Sequence, residues 1–127
     1  MGRSGYRRGA AAAGRRAGGF VFGPSRRLTA VPYGPHIYFL GEEINLSVRL
    51  RTTGWDWFVP NQVLAHHHYA KPGARSAPWR DDSESGKPHV PSEARLRHLF
   101  GTEAATDRRA LADLDRSGLS RARPLAA

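Results

Sequence analysis

Hydrophobic residues occur along the chain in short clusters that glycine and proline separate. Residues 19–23 place three apolar residues between two glycines, directly before Pro24, and this pattern predicts a short buried strand. Residues 24–36 contain three prolines, which predicts an irregular connection to the apolar cluster at residues 37–40.

Residues 42–51 carry two conflicting signals. From residue 44 to residue 50 apolar and polar residues alternate, which is typical of a half-buried strand. Acidic residues at the front, arginines at the back and Gly54 beyond the end instead follow the rules for a helix. The pattern leaves both structures open and slightly favours the strand.

Shorter elements are predicted downstream. Residues 55–59 and 63–65 have the composition of two short strands joined by a Pro-Asn turn. Residues 71–91 contain many prolines, glycines and charges, and we expect a long polar loop there, a feature that is usually functional or disordered.

Two helical pieces are predicted near the C-terminus. Ser92 is a candidate N-cap for a helix at residues 93–100, which the following glycine would end. Thr106 or Asp107 would cap a second amphipathic piece at residues 108–114.

Length and charge limit the interpretation further. The chain has 127 residues and a formal net charge of +9, so we expect one small domain at most. Residues 1–18 hold five arginines and no acidic residue in a low-complexity Arg/Gly/Ala stretch, which predicts a disordered tail. Such a tail can bind the phosphate backbone of a nucleic acid. Arg, Ala, Gly and Pro are abundant throughout the chain, however, so a general composition bias explains the arginines of the tail better than a nucleic-acid partner does.

The absence of cysteine excludes a disulfide scaffold, a thiolate metal site and a cysteine nucleophile. The sequence has no apolar run near the roughly 18 residues that a membrane span needs. We therefore expect a cytoplasmic protein without a membrane partner.

Three groups of residues could carry chemistry. Glu42 and Glu43 could bind sugar hydroxyls, act as a base or hold a cation, or they could simply favour a helix N-terminus. In a strand His66 and His68 would share one side, opposite His67. Any metal bound there would be a hard divalent ion such as Mn²⁺ or Mg²⁺ with oxygen ligands. The alternative is a polar edge strand that happens to be rich in histidine. The aromatic residues of the middle region suit a sugar ring, but equally a core.

A family resemblance runs in order along these same residues. The matching segments are Gly19-Phe20-Val21-Phe22, residues 31–43 (VPYGPHIYFLGEE), Arg49-Leu50, Thr53-Gly54-Trp55-Asp56, Pro60, His67, Tyr69 and residues 78–82 (PWRDD). In this combination the chain resembles the GlcNAc glycosyltransferase family, which includes enzymes that add GlcNAc to hydroxyproline and other polypeptide GlcNAc transferases. The resemblance covers roughly residues 17–101 and continues more weakly towards the end.

The resemblance implies a GT-A glycosyltransferase fold of the α/β class. It implies transfer of GlcNAc from a UDP-GlcNAc donor to a hydroxyl of a protein or peptide acceptor, with retention and with a divalent cation, Mn²⁺ or Mg²⁺. It places Glu42 and Glu43 as catalytic residues at the start of a helix over residues 42–53. It makes His67 the metal ligand. The substrate-binding residues that it implies are Gly41, Trp55, Tyr69 and Trp79.

The resemblance also predicts how the chain is organised. Nothing before residue 19 resembles the nucleotide-binding half of the family, so we expect the C-terminal half of the fold, with an incomplete sheet and flanking helices. This gives a disordered tail at residues 1–18, a partial glycosyltransferase domain at 19–101 and a helical extension at 102–127. The alternative function is a non-catalytic carbohydrate- or protein-binding module derived from the same fold.

Overall fold

The structure is a computed structural model, and it describes residues 11–12, 20–66, 68, 84 and 87–125. In chain order the described elements are strand β1 (Ala11–Ala12), helix α1 (Arg26–Ala30), helix α2 (Glu42–Thr52), strand β2 (Phe58–Val59), helix α3 (His89–Leu99) and helix α4 (Leu114–Ser117). Strands β1 and β2 pair antiparallel, with Ala11 opposite Val59 and Ala12 opposite Phe58.

Helix α2 confirms the helix that the resemblance implied for this segment. It begins after Gly41, whose φ is 89°, and the chain leaves it through Gly54, whose φ is 99°. The alternation that favoured a strand is misleading, because the buried face of α2 carries polar residues and its apolar Ile44 is 43% exposed. The buried polar positions are Asn45, Ser47, Arg49 and Thr52.

The apolar core is small and lies on α2. Val31, Leu46 and Leu50 are buried together, and Trp55 and Trp57 pack against them. Helix α3 contributes a serine and an arginine, Ser92 and Arg95, as its buried residues. The interior therefore combines a few apolar side chains with an unusual share of polar ones.

Several predicted strands are wrong. In the segment predicted as a buried strand, residues 20–23 have no regular structure, and Phe20 and Phe22 are 57% and 82% exposed. The strand predicted over residues 55–59 shortens to β2, and residues 63–65 are irregular and exposed. Within the described part of the chain, residues 20–23 and 63–65 pair with no strand, and a short strand is not stable alone. In residues 55–59, Trp55 and Trp57 pack against the core instead of pairing in a sheet.

The predicted helix positions also need correction. The connection over residues 24–36 contains α1, whose first turn follows Pro24, a residue well suited to a helix start. Helix α3 begins four residues before the predicted start. Pro91 is compatible with this start, because it falls within the first turn, where the N–H that proline lacks would have no partner in the helix. Residues 108–113 form turns, and only α4 is helical there.

The C-terminal segment packs back onto α2. The Ser120 N–H donates to Thr52 Oγ1 at 3.2 Å, and the Arg123 N–H donates to the Thr52 carbonyl at 3.0 Å. Arg123 also forms an ion pair with Asp56 at 2.6 Å. None of the described helices has the length and hydrophobicity for crossing a membrane. The larger GT-A sheet and the three-part domain organisation stay predictions.

Candidate functional site

A cleft of about 620 Å³ lies at the N-terminal end of α2. The segment before α2 and the first turn of the helix form its walls. The lining residues are Tyr33, Gly34, Ile37, Phe39, Leu40, Gly41, Glu42, Glu43 and Ile44. Two glutamates and two aromatic residues therefore line a single cleft.

Gly41 fixes where the two glutamates lie. Its φ of 89° is a conformation that L-residues with a side chain rarely adopt, and a Cβ at this position would overlap Leu96 Cδ1 of α3. The Asn45 N–H donates to the Gly41 carbonyl at 2.9 Å, which closes the first turn of α2. Glu42 and Glu43 follow directly in that turn, where the helix dipole favours negative charge.

The aromatic wall of the cleft is partly open to solvent. Tyr33 is 50% exposed and Phe39 is 46% exposed. Phe39 has a φ of 49°, a left-handed conformation that costs a residue with a side chain on the order of 1 kcal/mol or more. The tight turn at this position brings the Leu40 N–H to 2.7 Å from the Tyr38 carbonyl. Strained backbone of this kind is concentrated at binding sites.

Ser92 of α3 holds the cleft segment in place. Its hydroxyl accepts a hydrogen bond from the Tyr38 N–H at 2.7 Å and donates to the His36 carbonyl at 3.3 Å. The Tyr38 ring meets His89 edge-on, with the ring centroids 5.0 Å apart. Ser92 is therefore a link between two elements and not the N-cap that the sequence predicted.

His36 links the cleft segment to the C-terminal segment. Its Nε2 lies 2.7 Å from Asp113 Oδ2. This hydrogen bond lowers the pKa of the Asp113 carboxyl, and the charges of His36, Arg116 and Arg95 act in the same direction. Asp113 has a φ of 49° and stands at the start of α4.

Two arginines, one on α2 and one on α3, are buried. Arg49 is 3% exposed, and its Nη1 donates to the Pro32 carbonyl at 2.6 Å. Arg95 is 0% exposed, and its guanidinium donates to the Ala110 carbonyl at 2.9 Å, the Ala112 carbonyl at 2.6 Å and Ser117 Oγ at 2.5 Å. Burial lowers the pKa of both guanidinium groups, and the charge of Arg95 lowers that of Arg49 further.

The structure brings together some of the predicted site residues. Gly41, Glu42 and Glu43 line the cleft together. Trp55 lies elsewhere, against the buried core and beneath the Arg26 guanidinium, which is 5.3 Å from its ring centroid. The other predicted residues, His67, Tyr69 and Trp79, lie outside the described part of the chain.

The buried arginines could not be identified from their residue type, because all but two of the 20 basic residues are arginine. A pattern that could have been read is the Asp-Leu-Asp triplet at residues 113–115, because closely spaced carboxylates can bind a divalent cation. In the described ranges, however, no three His, Cys, Asp or Glu side chains lie together in a way that could hold a metal ion.

Comparison with known protein families gives a match over most of the chain. The model of a family described as Glycosyltransferase (GlcNAc) matches residues 6–126. None of the curated proteins and none of the solved structures matches the chain significantly. The family match is wider than the segments that carried the resemblance in the sequence, since it extends into the arginine-rich tail and to the end of the C-terminal segment.

Proposed function

Since the chain belongs to the GlcNAc glycosyltransferase family, we propose that it takes part in transferring GlcNAc from UDP-GlcNAc to a hydroxyl of a protein or peptide. The observation that carries this proposal is the cleft at the start of α2, in which Glu42 and Glu43 lie with Tyr33 and Phe39. A pocket with apolar walls and a few fixed polar groups is the usual form of a small-molecule site.

The chemistry of the cleft suits a sugar ring. Ionised carboxylates accept hydrogen bonds, so Glu42 and Glu43 can accept from the hydroxyl and amide donors of GlcNAc. The rings of Tyr33 and Phe39 offer apolar surface to the C–H face of the same sugar. Gly41 packs against Leu96 at the first turn of α2, and this contact positions the backbone of Glu42 and Glu43.

The carboxylates also suit the charge that glycosyl transfer develops. The sugar gains oxocarbenium-like positive character in the transition state, and a fixed carboxylate nearby stabilises that charge. We propose this role for Glu42 and Glu43 together, with Gly41 shaping the cleft around the substrate.

Negative charge accumulates at the same time on the leaving diphosphate, and a divalent cation, when bound, would supply the opposite charge. We propose Mn²⁺ or Mg²⁺ for this part, with His67 as the candidate ligand on the basis of the resemblance. The described residues provide no complete ligand set, so no step of the transfer is assigned to the cation here.

A transfer assay tests the proposal. The purified 127-residue chain is incubated with radiolabelled UDP-GlcNAc, Mn²⁺ and a hydroxyl-bearing peptide library, and transfer of label to peptide is measured. We expect Glu42→Gln to abolish transfer and Glu93→Gln, the same change at an exposed acid of α3, to leave it intact. Binding of UDP-GlcNAc with no transfer by the unaltered chain would instead support the non-catalytic binding module.

A further inference from the structure

Three side chains with unused hydrogen-bond donors lie together in the interior. Asn45, Arg49 and Arg95 are at most 3% exposed. Asn45 Nδ2, Arg49 Nε and Arg95 Nε each lack a hydrogen-bond partner. A buried donor without an acceptor is costly, and native structures contain few of them. Three in one place indicate that an acceptor belongs there.

The geometry shows that these side chains form one cluster. Asn45 and Arg49 are one turn apart on the buried face of α2. Arg49 Nη2 donates to the Arg116 carbonyl at 3.5 Å, and Arg95 Nη2 donates to the hydroxyl of the next residue, Ser117, at 2.5 Å. The two guanidinium groups therefore converge on α4 from two different helices.

The cluster has a charge that its partners do not balance. In the described part of the chain, the acceptors of Arg49 and Arg95 are all neutral: carbonyl oxygens and one hydroxyl. The acid whose charge reaches Arg95 is Asp113, but its side chain is 57% exposed and hydrogen-bonded to His36. Because arginine stays protonated in proteins, two positive charges remain in the interior.

The cluster lies against the wall of the cleft. Gly34 lines the cleft, and the position that a Cβ on Gly34 would take is 3.3 Å from Asn45 Oδ1, 3.5 Å from Ile37 Cγ1 and 3.8 Å from Arg49 Nη1. No side chain of residue 34 therefore stands between the cleft and these two polar groups. Gly34 therefore lies between the cleft and the side chains of Asn45 and Arg49.

We infer that the cluster of Asn45, Arg49 and Arg95 binds a phosphate-type oxyanion. The planar fork of a guanidinium matches the oxygens of phosphate, and charged hydrogen bonds of this kind are about twice as strong as neutral ones. An anion would satisfy the unused donors and balance the buried charge, which the neutral carbonyl oxygens do not. The ligand is either free phosphate or the phosphate group of a larger molecule that occupies the cleft. The inference does not depend on sugar transfer, because inorganic phosphate is itself a ligand of the site.

Thermal unfolding of the full chain tests the inference. The unfolding midpoint is measured in 10 mM inorganic phosphate, UDP or uridine, each against chloride at the same ionic strength. We expect phosphate to raise the midpoint by about 4 °C, because a ligand that binds only the folded state stabilises it. A larger rise with UDP than with phosphate identifies a nucleotide as the source, an equal rise identifies free phosphate, and uridine should have no effect.

Two variants make the test specific. Asn45→Asp places a carboxylate one turn from Arg49 and supplies the cluster with a negative charge, so we expect a higher midpoint without phosphate and no further rise with it. Arg51→Gln removes a charge from the same helix outside the cluster, and we expect it to keep the full phosphate effect. The inference is overturned if phosphate has no effect beyond chloride, if Asn45→Asp lowers the midpoint, or if Arg51→Gln loses the effect as completely as Asn45→Asp.

Discussion

Replacing Gly41 by alanine should damage the fold and the cleft together. The residue has a φ of 89°, and a Cβ would overlap Leu96 Cδ1. The left-handed conformation costs alanine about 1–2 kcal/mol. Overpacking a closed core costs about 1–3 kcal/mol, and the lower end applies here because Leu96 is half-buried and its Cδ1 is the end of a flexible side chain. We therefore expect Gly41→Ala to lower the free energy of unfolding by about 2–3 kcal/mol, a substantial part of the stability of a small domain.

Gly54 provides a matched control. Its φ is 99°, yet a Cβ there would meet nothing within 4 Å, so Gly54→Ala carries the backbone cost alone. The difference between the two variants measures the contact with Leu96. In a Leu96→Ala background that difference should shrink, because the overlapping methyl group is gone.

Urea denaturation followed by circular dichroism gives the free energy of unfolding for each variant. Equal losses for Gly41→Ala and Gly54→Ala would refute the idea that close packing of α3 on Gly41 positions the first turn of α2. A difference that persists unchanged in the Leu96→Ala background would refute it as well.

Two further substitutions test the links that hold the cleft segment. Ser92→Ala should cost about 1–3 kcal/mol in urea denaturation, because it leaves the Tyr38 N–H without its acceptor; an unchanged midpoint would contradict this role. Asp113→Asn tests how stability depends on pH. Because the pKa of Asp113 is lower in the folded state, its ionised carboxylate stabilises the fold at pH values above the ordinary pKa of an aspartate. That stability is lost as the pH falls through the lower folded-state pKa. Between pH 5 and about pH 2 the unaltered chain should therefore lose more stability than Asp113→Asn, by a small amount because the group is exposed, and parallel pH profiles would contradict the pairing with His36.

The site could be predicted from the sequence in one respect. The adjacent acids after Gly41 indicated a helix N-terminus and a place for chemistry, and the structure confirms the helix. The alternating pattern over the same residues favours a strand only if the polar residues face solvent. Here Asn45 and Arg49 are buried, so the hydrophobic period no longer marks the inward face.

The interior could not be predicted for the same reason. Arg95 looks like any other arginine in a chain that is rich in them, and only the return of residues 110–117 over α3 buries it. Ser92 has the composition of a cap, but its hydroxyl is used by Tyr38, 54 positions away in the sequence. Contacts between distant segments decide both cases, and local patterns carry no information about them.

The most direct measurement compares the affinities of UDP-GlcNAc and UDP by calorimetry in the presence of Mn²⁺. If the cleft of Glu42 and Glu43 holds the sugar, the unaltered chain should bind UDP-GlcNAc about tenfold more tightly than UDP, which corresponds to about 1.4 kcal/mol. Glu42→Gln should remove that preference while leaving the affinity for UDP unchanged. Equal affinities for UDP-GlcNAc and UDP in the unaltered chain, or a preference that survives Glu42→Gln, would contradict the assignment of this cleft to the sugar.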